Sequence, residues 1–204
     1  MTTWTAEQQS DLAAIVWRAL RLGLQAGLGN RSGRAHWPHV PLPNGEWLQR
    51  EAATFVTLEK RGQLRGCIGS LQADLPLGRS VAEHTLAAAF NDPRFEPLQP
   101  EEWAELTAEI SILTPMEPLP VQDWSDLEAK LQPGVHGLVV RAPGHSATFL
   151  PAVWDDLPEI EVFLDQLWRK AGLRPRAWPE GLRLWTYRAD KLTAARPPAE
   201  TVFG

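Results

Sequence analysis

Apolar residues recur at helical spacing near the start of the chain: Leu12, Ile15, Val16, Ala19, Leu20 and Leu24 fall on one face, and Thr5 with Gln8 three residues later makes a capping box. This predicts an amphipathic helix over residues 5–26, ended by Gly27 and Gly29. Residues 30–46, dense in Gly, Pro and polar side chains, read as a surface loop. The pattern then becomes extended. Residues 53–58 and 64–71 read as two strands joined at Arg61-Gly62, a hairpin. Ser80 is the expected N-cap of a helix over 80–90, with Val81, Leu86, Ala89 and Phe90 on its apolar face; Pro93 ends it, Asp92 anchors its exit, and Phe95 is expected to return to the core.

Downstream, a short helix over 100–106 leads into a strand over 107–113, where Ile110 and Ile112 alternate with Glu109 and Ser111. A second hairpin is expected from 137–141 and 146–150 across Pro143 and Gly144. A helix over 159–171 closes at Gly172, and 182–188 alternates as a final strand. Hairpins outnumber crossovers and no regular βαβ repeat occurs, so the expected fold class is α+β with a mixed or antiparallel sheet and flanking helices. No domain-separating linker, internal repeat or low-complexity tract interrupts the 204 residues.

Composition narrows the function. No apolar run reaches the roughly 20 residues that cross a bilayer. The opening MTTWTAEQQSDL has acid and amide residues where a secretory signal carries basic ones, so a cytosolic protein is expected. With 20 Lys+Arg against 25 Asp+Glu and a net charge of -5, general nucleic-acid binding is disfavoured. The charge is uneven, however. Residues 96–128 are rich in carboxylates, and Arg169, Lys170, Arg174, Arg176, Arg183, Arg188, Lys191 and Arg196 lie in the last quarter. The 18 Pro, 10 Trp and preference for Arg over Lys fit a genome rich in G and C and carry no functional weight alone.

Candidate chemistry concentrates at Leu64-Arg65-Gly66-Cys67-Ile68-Gly69. Strand alternation would put Arg65, Cys67 and Gly69 on one face. A guanidinium beside a thiol favours the thiolate, which a nucleophile needs, and the flanking glycines leave room for a ligand or another backbone. In the plainer reading, Cys67 is a small buried apolar residue and Gly66 and Gly69 relieve crowding against a helix. His84 and His136 are the candidate bases. Glu109 and Ser111 place a carboxylate and a hydroxyl side by side. His36 and His39 flank Trp37-Pro38, but no third ligand is adjacent and no metal site is assigned. Neither a phosphate-loop pattern nor a serine nucleophile elbow occurs, and no cofactor is evident.

Taken in order, these segments resemble the AMMECR domain family, whose bacterial and archaeal members are called AmmeMemoRadiSam system protein A. The Leu64–Gly69 hexapeptide matches the family hallmark throughout, and a Phe-Val-Thr-Leu strand precedes it at residues 55–58. The likeness continues through Asp92-Pro93-Arg94-Phe95, Glu109-Ile110-Ser111-Ile112-Leu113, Gly137-Leu138, Phe149-Leu150-Pro151 and Lys170-Ala171-Gly172-Leu173. It covers about residues 8–192 and is weakest over 31–50. It implies one AMMECR-type domain made of two intimately joined subdomains with the hexapeptide lining a cleft between them. It also implies association with a Memo-type protein and a radical S-adenosylmethionine protein. On this basis Thr57 and Arg94 join Gly66, Gly69, Glu109 and Ser111 as candidate ligand contacts. Two roles are expected, ahead of a third, nucleic-acid binding, which only the basic last quarter supports. One is a binding component that holds a small ligand or a partner segment; the other is a small enzyme or modification factor with Cys67 as nucleophile, Arg65 as activator and His84 or His136 as base.

Overall fold

The computed structural model describes residues 4–30 and 37–197. His36 and the stretch 31–36 of the expected loop lie outside the described residues, as do residues 1–3 of the opening segment. The chain forms two units, one comprising the residues up to Leu113 together with Asp190 onward, the other Thr114–Ala189. Helices and antiparallel sheets mix in both, giving the α+β class that the alternating pattern predicts.

The first unit begins with α1 (Ala6–Gln25), capped as expected: the Thr5 hydroxyl accepts from the Gln8 amide, and the Gln8 side chain returns to the Thr5 amide. Strands β1 (Thr54–Lys60) and β2 (Gln63–Gly69) make the predicted hairpin, turned by Arg61 at φ 54° and Gly62 at φ 75°. Strand β3 (Leu106–Leu113) pairs antiparallel with β1, giving a four-stranded sheet in the order β2-β1-β3 and then β8 (Ala189–Thr193), a strand the alternation did not announce. Val56, Leu58, Ala108 and Ile110 point to one side of this sheet. There they join Leu12, Val16 and Leu20 of α1 and Val81 and Leu86 of the second helix in a continuous core.

That second helix, α2 (Leu77–Phe90), begins one turn before the expected N-cap. Ser80 therefore lies inside the helix, buried and hydrogen bonded at 2.8 Å to the Thr54 hydroxyl. The exit at Asn91 is as predicted, but Phe95, expected to return to the core, remains half-buried. Its ring instead lies 5.8 Å from the Arg65 guanidinium and 5.5 Å from that of Arg94. Leu98, fully buried, re-enters the core, and its amide donates to the Ala89 carbonyl.

The second unit has its own four-stranded sheet, in the order β4 (Glu117–Pro118), β7 (Arg183–Tyr187), β5 (Gly137–Ala142), β6 (His145–Phe149). Helices α3 (Trp124–Lys130) and α4 (Ile160–Lys170) supply Leu127, Phe163, Leu164, Leu167 and Trp168 to a core that includes Leu138, Val140 and Leu184. Helix α3 and strand β4 are further elements the periodicity did not announce; both are short. No helix among the described residues is long and apolar enough to cross a membrane.

Candidate functional site

Antiparallel register decides what stands beside Cys67. Thr57 on β1 is directly opposite Cys67 on β2 and directly opposite Glu109 on β3. Phe55 likewise opposes both Gly69 and Ser111. The alternation that buries Val56 and Leu58 against the helices sends these side chains to the other face. Cys67, Thr57, Glu109 and Ser111 thus come together from three strands, as two adjacent rows on the face of the sheet away from α1 and α2. The Thr57 hydroxyl donates to the Cys67 Sγ at 3.3 Å, and Cys67 is half-buried.

Arg65 does not belong to that group. Leu58 opposes Gly66 and Glu59 opposes Leu64, so Arg65 is the extra residue of a β-bulge. The bulge interrupts the period of two on which the expected Arg65–Cys67 adjacency rested. Arg65 is buried instead against Glu102, with Nε donating to Oε1 and Nη2 to Oε2, each at 2.9 Å, while Nη2 also reaches the Glu96 carbonyl. Lys60 completes the group with a 3.0 Å bond to Glu102 Oε1. The Arg65 hydrogen bonds, followed by the Gln99 amide and Lys60, hold the Glu102 carboxyl at a pKa of about 2.

The backbone of Cys67 is clamped by a different pair. Its amide donates to Asp92 Oδ2 at 2.9 Å, and its carbonyl accepts from Arg94 Nη2 at 3.2 Å. Asp92 also accepts from Arg94 through Nη2, Nε and the backbone amide. The Arg94 side chain, then the Cys67 and Arg94 amides, outweigh burial and hold the Asp92 carboxyl down to about 2. Asp92 was legible as the residue that anchors the exit of α2. That it fixes the cysteine backbone was not, because that contact spans 25 residues of sequence.

Both glycines of the segment are explained by packing. A Cβ at Gly66 would lie 2.1 Å from the Ala88 carbonyl oxygen of α2, and one at Gly69 would lie 2.3 Å from the Phe55 ring. Protein atoms therefore occupy the space left open to a ligand or another backbone; for Gly66 it is the backbone of α2, the crowding against a helix that the plainer reading expects, and Gly66 points to the helix side of the sheet. The imidazoles are held elsewhere. His84 Nδ1 lies 2.8 Å from the Thr54 hydroxyl on the helix side, opposite the Cys67 face, and burial lowers its pKa. His136 belongs to the second unit, where Nδ1 accepts from the Gln132 amide; burial and then Arg188 lower its pKa. Among the described residues no group of three or more His, Cys, Asp or Glu could hold a metal ion.

Comparison with known proteins places this arrangement. The AMMECR1 family model matches residues 28–192, which contain every strand and loop of the Cys67 face. The chain belongs to the AMMECR1 family. Among AMMECR1 relatives, a protein of Caldivirga maquilingensis is 38% identical over 145 residues, covering 67% of this chain and 64% of that one. A protein of Saccharolobus islandicus is 41% identical over 171 residues, covering 78% and 74%. The matched stretch thus spans a little under two thirds of the Caldivirga protein. The crystal structure of the uncharacterized protein PH0010 from Pyrococcus horikoshii is similar in fold, with a TM-score of 0.77, 28% identity and 90% coverage of both chains.

Proposed function

We propose that this AMMECR1 family protein is a binding component that works with Memo-type and radical S-adenosylmethionine proteins. In this reading it takes a ligand or a partner segment on the face carrying Cys67, Thr57, Glu109 and Ser111. The observation that carries the reading is the clamp on Cys67: Asp92 and Arg94 fix its backbone from both sides and Thr57 fixes its thiol. A nucleophile needs a base within hydrogen-bond reach, and neither candidate imidazole bonds to the thiol. Glu109, the carboxylate of the row, is separated from Cys67 by the whole width of β1. A half-buried polar row of Cys67, Thr57 and Glu109, with its cysteine held in place, suits recognition better than proton transfer.

The test is calorimetric titration of a purified Memo-type protein into wild type, Glu109→Lys and Cys67→Ser, alongside intact-mass measurement of the native protein. Glu109→Lys should weaken binding by about tenfold or more, while Cys67→Ser, which keeps a hydrogen-bonding group of similar size, should stay within about threefold. Binding indifferent to Glu109→Lys overturns the proposal. So does a substrate-derived covalent adduct on Cys67, with an accompanying turnover that Cys67→Ser abolishes; that result establishes the cysteine-dependent enzyme instead.

A further inference from the structure

The second unit carries a feature with no part in the Cys67 face. Strands β5 and β7 set Arg141 directly opposite Arg183, and like charges facing each other across an antiparallel pair are destabilising. Among the described residues no hydrogen bond or ion pair engages either guanidinium. Arg141 meets only the ring of Trp185, at 5.2 Å from its centroid. Two positive charges are thus held side by side without a counter-charge.

Arg183 lines a groove of about 650 Å³ along the β4–β7 edge together with Pro118, Val121, Trp178, Leu182 and Trp185, and Arg141 adjoins it through the Trp185 ring. That volume lies within the range of small-molecule sites, and the lining has their composition: mostly apolar walls, two indoles and one kind of charge. No carboxylate lines it. Trp178 is 39% exposed and yet not loose, because its ring rests edge-on against Trp124 with centroids 6.3 Å apart. Trp185 has its backbone paired on both sides, opposite Pro118 and Val139, and its ring carries the Arg141 guanidinium. The groove therefore offers positioned aromatic surface with paired guanidiniums beside it.

We propose that this groove binds a nucleoside monophosphate, its base against Trp178 and Trp185 and its phosphate between Arg183 and Arg141. Charge decides the class of anion. A phosphate monoester carries about -1.5 to -2 at neutral pH, which matches two guanidiniums, whereas a carboxylate neutralises only one. The planar base gains stacking on exposed indole surface that water otherwise covers. Binding also relieves the Arg141–Arg183 repulsion, so the free protein bears a cost that the ligand removes.

The probe is adenosine monophosphate, titrated calorimetrically into the full chain at about 150 mM salt, with adenosine, inorganic phosphate and a single-stranded oligoadenylate as comparisons. Adenosine monophosphate should bind, and Arg183→Gln and Trp178→Ala should each weaken it by about tenfold or more. Both residues are exposed, so unchanged thermal unfolding of the variants verifies their folding. In the absence of ligand Arg183→Gln should unfold at the same temperature as wild type or slightly higher, since it removes a repulsion. Absence of binding up to about 1 mM overturns the proposal, as does affinity unchanged in both variants. Equal affinity for adenosine overturns the phosphate assignment and with it the site. Oligoadenylate binding with a steep salt dependence, without binding of the mononucleotide, replaces the proposal with a nucleic-acid surface.

Discussion

Asp92→Asn tests the clamp on Cys67 with almost no change of shape. The carboxylate is buried, its side chain only 1% exposed, and its two oxygens accept four hydrogen bonds: one from the Cys67 amide and three from Arg94. An amide at this position keeps one accepting oxygen and turns an NH2 group toward donors, so either Cys67 N–H or the guanidinium loses its partner. Arg94 is half-exposed and can turn to water. The Cys67 amide cannot do so without moving β2. The magnitude follows from titration. Folding holds the Asp92 pKa at about 2, nearly two units below an ordinary aspartate; at about 1.4 kcal/mol per unit this is roughly 2 to 3 kcal/mol of stability that depends on the charge. Asp92→Asn should therefore destabilise by about 2 to 4 kcal/mol at pH 7, the upper end reflecting the donor-to-donor contact.

The pH dependence has a definite sign. Because the folded pKa is the lower one, this stabilisation is fully present above the ordinary aspartate pKa and is lost as pH falls toward about 2. Urea unfolding of wild type and variant, followed at pH 7, 5, 4 and 3, should show a constant gap down to about pH 5 and a shrinking one below about pH 4. A gap under about 1 kcal/mol at neutral pH, or one that persists unchanged at pH 3, refutes the assignment of a charged clamp.

Phe95→Ala should cost only about 1 to 2 kcal/mol, since its ring is half-exposed and holds two guanidiniums, whereas Leu98→Ala, at a fully buried position, should cost about 2 to 5; chemical denaturation giving the reverse order would place the wrong residue in the core. Gly66→Ala should destabilise by about 1 to 3 kcal/mol, because its Cβ meets a backbone oxygen of α2 that cannot rotate away; unfolding within about 0.5 kcal/mol of wild type would mean that the helix does not press on β2.

Local chemistry was readable where the structure is local. The Thr5–Gln8 capping box, the Arg61-Gly62 turn and the alternation of residues 107–113 each specify an element within a few residues, and each element is present. The alternation also places Glu109 and Ser111 on one face, but the register set at the turn would pair Cys67 with Val56, and only the bulge at Arg65 brings Cys67 opposite Thr57 in the row that Glu109 completes. The failures are of other kinds. Arg65 was misplaced because a bulge leaves no mark in the hydrophobic pattern. Ser80 looks like a cap, but Leu77 and Gly78 are already helical, and Ser80 and His84, one turn apart on the same face, both meet the Thr54 hydroxyl. Strand β4 and helix α3 are too short to show a period, although Asp123 accepting from the Asp126 amide is a cap of the recognisable kind. Glu102 had no local signal, since its role arises only when β1 and β2 deliver Lys60 and Arg65 to it.

Leu64 is exposed, and within Arg65–Gly69 structural duties fall on every part except one. Arg65 spends its charge on Glu102, the bare Cα of Gly66 admits α2, Ile68 packs on the helix-side core, and the bare Cα of Gly69 admits Phe55. The cysteine is tied down through its amide and carbonyl, which any residue possesses. A side chain is not required for that clamp. The thiol, half-buried and in contact with the Thr57 hydroxyl, is therefore the group whose identity the fold constrains least, and the bulge is what makes this so by turning Arg65 away. Replacing sulfur by oxygen at Cys67 leaves the clamp, the glycine contacts and the Glu102 pair in place. Any change in behaviour then reports the chemistry of the thiol alone, so Cys67→Ser separates recognition, which a hydroxyl can share, from nucleophilic attack, for which a hydroxyl with no bonded base is far weaker than a thiol.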